Sequence, residues 1–245
     1  IGEIAQKTLA RNFRNFNPRD ARIVLVDAAD RVLPAFPPES SRDAQRLLER
    51  KGVEIVLGAR AKGIDAAGVD LEGAPRIEAR TVLWAAGVAM SPLARGLGAP
   101  LDRQGRVLVA PDLSVPGHPE VFVIGDLAAI EEKGEFLPGV AQPAIQAGRA
   151  AAANIVRGVR DEPTLPFRYK DLGTMATIGR SAAIAIVAGH RFSGFVAWLL
   201  WAFIHVTWLI GFRNRAVVLL EWTWAWVTWG RGARVILDRR AWPPS

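Results

Sequence analysis

Arg22-Ile23-Val24-Leu25-Val26-Asp27 sets four apolar residues between an arginine and an acid, the pattern of a short strand covered on both faces. Residues 42–51 then place Ala44, Leu47 and Leu48 on one helical face and stop at Gly52, and 53–57 reads Val-Glu-Ile-Val-Leu as a second strand. Strand, helix and strand at this spacing predict a βαβ unit with parallel strands, and hence an α/β fold. Upstream, 1–16 has helical spacing that ends at Pro18. Downstream, 69–71 and 76–78 flank Gly73 as a small hairpin, and 81–85 reads as a further buried strand running into Ala85-Ala86-Gly87. Residues 92–111 are irregular apart from a short strand at 107–109. A helix follows over 141–156, a turn-rich connector over 161–166, and strands at 175–178 and 182–187 around Gly179-Arg180.

Val121-Phe122-Val123-Ile124-Gly125-Asp126 reads as a buried parallel strand whose Gly-Asp end lies at the sheet edge where α/β folds bind ligands. A carboxylate held there can take the hydroxyls of a polyol. Ala141-Gln142-Pro143-Ala144-Ile145-Gln146 opens an Ala-rich helix, and Gln142 and Gln146 share one face near a helix start that favours electron-rich groups. Together they point to a redox-cofactor site. An Asp after a strand also caps turns, and glutamines four apart also form solvated pairs. Pro143 and the small residues around the pair favour a pocket.

With 245 residues the chain can build one or two domains with a real core. It has no cysteine, which excludes disulfides, thiolate metal sites and dithiol or persulfide chemistry. His118, His190 and His205 are too scattered in sequence to suggest a metal site. The net charge of +7 is unevenly spread: residues 149–245 carry 13 Lys+Arg against 5 Asp+Glu, the first 148 residues 18 against 19. Seven of nine tryptophans fall between Trp198 and Trp229. Basic residues around an aromatic, apolar stretch fit an anionic membrane surface and argue against nucleic acid. Arg191 and Arg213 bracket 21 residues without a charge, long enough to span a bilayer. Yet Trp198, Trp201, His205, Trp208 and Phe212 form one helical stripe and Phe195, Leu199, Ala202 and Val206 another; Trp222, Trp226 and Trp229 follow, with Glu221 beside them. Such stripes with basic ends predict helices lying in the membrane interface, the alternative being a buried helix pair at a subunit contact. His205 reads as a satisfied or interfacial histidine and Arg180 as a turn residue. Ile1 has no initiator Met or signal-peptide pattern and falls within a helical period, so the chain is expected to be cut from something longer.

Asp27, Trp84 to Gly87, Gly125-Asp126, Gln142 with Gln146, and the Trp-rich tail together resemble the C-terminal part of a type II NADH dehydrogenase. That family comprises single-subunit flavin-containing NADH:quinone oxidoreductases, related to the pyridine nucleotide-disulfide oxidoreductases, and the resemblance runs over nearly all 245 residues. It implies an incomplete flavoprotein of two dinucleotide-binding domains, Rossmann-like in its βαβ sheet, with C-terminal amphipathic membrane-binding helices. The implied division is 1–88 for the rest of the NADH domain, 89–157 for the end of the FAD domain and 158–245 for the membrane anchor. FAD and NAD are the implied cofactors and a quinone the implied partner. By position, Gly125 and Asp126 would hold the FAD ribitol, Ala141 and Gln142 would approach the flavin ring, and Gln142 and Gln146 would line the quinone pocket as the catalytic pair. Asp27 would accept the ribose hydroxyls of NADH and repel a 2′-phosphate. Ala85, Ala86 and Gly87 would let the backbone approach the nicotinamide. The family implies a peripheral protein on the cytoplasmic face of the inner membrane, electron transfer without proton pumping, and is compatible with a homodimer; no metal is expected. No G-x-G-x-x-G occurs in the chain, so neither pyrophosphate has its glycine turn, and this stretch alone is expected to bind FAD poorly. The alternatives are a soluble ferredoxin- or rubredoxin-type flavin reductase and a non-catalytic membrane-binding fragment.

Overall fold

The computed structural model describes residues 1–4, 17, 20–209 and 211–228. They form two compact units, one from the described residues of Ile1–Val82 and Gly173–Ser245, the other from Leu83–Leu172. Most of the helix expected over 1–16, Pro18 and Trp229 lie outside the described residues.

The first unit opens with the βαβ motif that the sequence predicts: β1 (Ile23–Asp27), α1 (Pro38–Glu49) and β2 (Val53–Leu57), with Ile23 to Asp27 paired in parallel to Val53 to Leu57. Helix α1 begins four residues earlier than expected, at Pro38, because a proline in the first turn removes an N–H that has no helical partner anyway. The hairpin at Gly73 is present as β4 (Gly68–Glu72) and β5 (Ile77–Glu78), widened by an unforeseen β3 (Arg60–Asp65). Its sequence, Arg-Ala-Lys-Gly-Ile-Asp, has too few apolar residues to stand out.

Residues 81–85, where the second unit begins, form no strand, and Leu83 and Trp84 are about two-thirds exposed, at 65% and 66%. The unit contains α2 (Leu93–Gly96), β6 (Val107–Leu108), β7 (Ser114–Val115) and β8 (His118–Phe122). The expected parallel strand at 121–124 is corrected here: β8 starts at His118, ends at Phe122 and runs antiparallel to β7, with Ser114 opposite Phe122. The cause is the Pro116-Gly117 pair between β7 and β8. Proline presets the first central position of a type II turn and Gly117, at φ +85, supplies the second, so the chain folds back on itself. Parallel pairing in this unit belongs instead to β6 and β9 (Ala128–Ala129), Val107 opposite Ala128. The short hairpin β10 (Glu131–Glu132) and β11 (Glu135–Phe136) leads to α3 (Ala141–Val159), three residues longer than expected. Its face of Ala147 and Ala151 packs on Val107, Leu113, Val115 and Val123.

The chain returns to the first unit as an antiparallel sheet of β12 (Thr174–Gly179), β13 (Ala182–Val187) and β14 (His190–Ser193). Strand β13 alternates cleanly. Ile184 packs with Val32, Phe36 and Ala44 on the α1 side, while Ala183 and Ala185 meet Ala197 of α4 (Gly194–Trp208). Alanines on that face let the helix come close to the sheet. At the hairpin turn, the Glu3 carboxylate accepts Arg180 N–H and the Lys51 ammonium.

In the tail, tryptophans of the two expected stripes meet one another. Trp198 stacks on Trp226 and Trp201 on Trp222, with ring centroids 6.2 and 5.3 Å apart, so these indoles form the seam between α4 and α5 (Phe212–Thr228). Trp226 Nε1 also donates to Ser181 Oγ at 2.8 Å, and the Arg180 guanidinium lies 5.7 Å from its ring. Flat aromatic faces bury more surface against one another than scattered over a helix. The exposed apolar surface includes Phe195, Val196, Leu199 and Phe203 on α4 and Leu220 and Trp224 on α5, and the stacked Trp222 and Trp226 remain partly exposed beside them. His205 is satisfied as expected, its Nδ1 2.7 Å from the Trp201 carbonyl. Among the described residues no helix is long and apolar enough to cross a membrane.

Candidate functional site

The start of α3 is unusually bare. Val140 precedes it without a side-chain cap and Pro143 has no N–H, so the N–H groups of Ala141 and Gln142 meet no capping side chain. Against this end packs the 3-10 turn Gly125–Leu127, and Gly125 adopts φ +66, a left-handed conformation that lets the chain reverse after Ile124. Close approach is visible at two glycines: a Cβ on Gly125 would sit 3.8 Å from Ala144 Cβ, and one on Gly139 only 3.4 Å from Asp126 Oδ1. The result is a small, mostly apolar hollow lined by Gly125, Ala128, Leu137, Pro138, Val140 and Ala144. Asp126 is exposed, and among the described residues its carboxylate makes no hydrogen bond or ion pair. A cradle of small groups with one unengaged carboxylate and two uncapped N–H groups suits a flat, polyhydroxylated ligand with an electron-rich edge.

One wall of the hollow is held from behind. Arg106 Nε donates to Asp102 Oδ2 at 2.7 Å with both side chains about nine-tenths buried, at 11% and 10% exposure, and its Nη1 reaches the Leu137 carbonyl at 3.3 Å. Burial pushes the Asp102 carboxyl up, but the Arg106 and Gln104 N–H groups and the guanidinium outweigh it and hold the group below its ordinary value.

The glutamine side chains lie outside the lining of this hollow. Gln146 Nε2 donates to the Lys170 carbonyl at 2.9 Å, and Gln146 Oε1 accepts the Lys170 N–H at 3.0 Å. Lys170 ends a strap without helix or strand, residues 163–170, of which the sequence marks only 161–166, as a turn-rich connector. The strap runs back along α3 and is pinned repeatedly. Asn154 pairs with both backbone groups of Leu165, Phe167 N–H donates to the Pro111 carbonyl, and Tyr169 N–H donates to Glu132. At its start, Asp112 accepts Thr164 Oγ1 at 2.6 Å and Ser114 Oγ at 2.7 Å. Of these tethering side chains the sequence singles out only Gln146, and as a pocket residue; Asn154, a lone amide in the stripe of Ala147 and Ala151, goes unmarked.

Desolvation pushes the Asp112 carboxyl up, yet the bonds from Thr164 and Ser114 prevail and hold it below the usual carboxylate range. A depressed carboxyl stabilises the fold above its unfolded pKa, about 4, and that stabilisation is lost as pH falls through the folded value. The Tm gap between the parent protein and Asp112→Asn is therefore expected to be full at neutral pH and to narrow in acid. A gap that stays constant down to about pH 3 would contradict this.

Asp27 ends β1 with one oxygen accepting the Ala29 N–H at 2.9 Å, a local turn cap that leaves the second oxygen exposed. It belongs to the first unit. Ala85, Ala86 and Gly87 belong to the second, where they are exposed and irregular. Gly87 adopts φ +108 with nothing within 4 Å of a notional Cβ.

A parallel βαβ motif and a Gly-Asp turn beside a bare helix start are the parts of a nucleotide-cofactor oxidoreductase. Residues 8–148 match the model of the pyridine nucleotide-disulphide oxidoreductases, and the chain belongs to that family. Its curated relatives are narrower in kind. The type II NADH:quinone oxidoreductase Ndh of Mycobacterium tuberculosis is 41% identical over 252 aligned residues, covering 98% of this chain and 54% of that protein. The type II NADH:quinone oxidoreductase of Staphylococcus saprophyticus is 37% identical over 180, covering 71% and 44%. The fold is similar to that of NDH2 from Plasmodium falciparum, solved in complex with NADH. There the TM-score is 0.77 at 13% identity, with 91% of this chain and 62% of that one covered. The chain spans about half the length of the curated relatives it matches.

Proposed function

We propose that this chain supplies the flavin-edge and quinone-facing portion of an FAD-dependent enzyme that passes electrons from NADH to a membrane quinone without pumping protons. The observation that carries this reading is the unengaged Asp126 carboxylate beside Gly139 and the uncapped start of α3. FAD fits that cradle: the carboxylate accepts hydroxyl hydrogens of the ribitol, and the Ala141 and Gln142 N–H groups face an electron-rich ring edge. Bound FAD would supply the two-electron chemistry. Asp27 accepts hydrogen bonds from the NADH ribose with its exposed oxygen, and its charge disfavours a 2′-phosphate. Ala85, Ala86 and Gly87 leave room for the nicotinamide, and the Gln142–Gln146 pair marks the quinone end. The apolar face of α4 and α5, next to Arg213 and Arg215, serves peripheral binding to anionic lipid on the cytoplasmic leaflet. A homodimer is compatible with this arrangement. A second reading, a membrane-binding chain without catalysis, is favoured by the lack of any G-x-G-x-x-G.

The test is Asp126→Ala in the whole polypeptide that contains this chain. Loss of hydrogen bonds to a charged acceptor costs about 1.5–3 kcal/mol, so FAD affinity is expected to fall roughly 10- to 100-fold while far-UV circular dichroism is unchanged. Undiminished flavin retention after gel filtration would overturn the proposal, and a colourless parent protein that added FAD cannot reconstitute would favour the second reading.

A further inference from the structure

Both amide atoms of Gln146 are taken by the backbone of one residue, Nε2 by the Lys170 carbonyl and Oε1 by the Lys170 N–H. This two-point pairing admits a single orientation, because a flipped amide would set NH2 against N–H and oxygen against oxygen. The strap that carries Lys170 is itself pinned at Tyr169 and Leu165, so its backbone is a firm template. The remaining hydrogen of Gln146 Nε2 goes to Gln142 Oε1, 3.3 Å away. An NH2 group only donates, so the atom of Gln142 that meets it is the oxygen. Gln142 Nε2 is left over, and among the described residues it has no acceptor.

We propose that Gln146 is a positioning residue. Through the Lys170 backbone it orients Gln142 so that its NH2 is left free, and this site offers a hydrogen-bond donor for which a ligand carbonyl is a better acceptor than a phenolic hydroxyl. The inference rests on the quinone reading above and sharpens it: the pair holds the oxidised, carbonyl-bearing form more tightly than the hydroquinone, whose hydroxyl oxygen is the weaker acceptor for the Gln142 NH2.

Two measurements test it. Side-chain amide hydrogen exchange, followed by NMR without any ligand, is expected to be at least tenfold slower at the Gln146 NH2 than at the Gln142 NH2. Equal rates, or slower exchange at Gln142, would overturn the assigned orientation whether or not a quinone binds. In the whole polypeptide under anaerobic conditions, menadione is expected to bind about tenfold more tightly than menadiol. Gln142→Glu, which turns the donor into an acceptor, should invert that preference, and Gln146→Ala should erase it by freeing the Gln142 amide. A Gln142→Glu protein that keeps the parent's preference would refute the donor role. A protected Gln146 amide in a parent that binds neither probe would support the orientation and count against the quinone reading alone.

Discussion

Asn154→Ala is expected to lower the unfolding free energy by about 3 kcal/mol. Asn154 is 2% exposed, and its amide satisfies three backbone groups: Nδ2 donates to the Asp112 and Leu165 carbonyls at 3.1 and 2.9 Å, and Oδ1 accepts the Leu165 N–H at 2.9 Å. Alanine keeps the helix but strands all three, and each buried polar group left unmade costs roughly 1–3 kcal/mol, partly recovered by water entering behind the loosened strap. Urea unfolding at an unchanged m-value measures the loss, and exchange of the Leu165 amide shows whether the strap is where it occurs. A loss below about 1 kcal/mol would mean that the strap is held by its other tethers.

Ile184→Ala is expected to cost about 3–4 kcal/mol, within the usual range for deleting three buried methyl and methylene groups. Ile184 is fully buried between α1 and the parallel pair, among Val32, Phe36, Ala44, Leu25 and Ile55. Helix α1 is tied to β14 through the Glu39–Arg191 ion pair, and Lys51 just beyond it is bonded to Glu3 and to the Arg180 carbonyl, so the walls have little freedom to collapse into the void. Differential unfolding of the first unit checks the value. A cost near 1 kcal/mol would show that α1 does settle inward.

Much of this architecture is legible in local residue order. The β1–α1–β2 motif, helix α3 and the β12–β13 hairpin follow from apolar periodicity and from the breakers Gly52 and Gly179, because each is stabilised by partners close in sequence. Three features do not. The 121–124 run looked like a parallel strand because its composition is apolar, but pairing depends on a neighbour, and the Pro116-Gly117 turn delivers β7 to it first. The pairing of the tail tryptophans is not legible because a single helix has no way to show that a second one will stack against it. The strap is invisible because its hold on α3 is almost wholly backbone to side chain across long sequence separations.

The candidate site divides along the same line. Gly125, Asp126, Ala141, Gln142 and Gln146 stand out as chemistry-bearing residues by type and spacing, and the family resemblance adds Asp27, Trp84 to Gly87 and the Trp-rich tail. Which of them is engaged, and by what, depends on contacts between segments far apart in the chain: Gly139 brought against Asp126, Lys170 returned to Gln146. Residue type sets what a side chain can donate or accept, and that much is written in the order of amino acids. The direction in which an amide points is set by the groups that reach it first, and those groups arrive only when the chain has closed on itself.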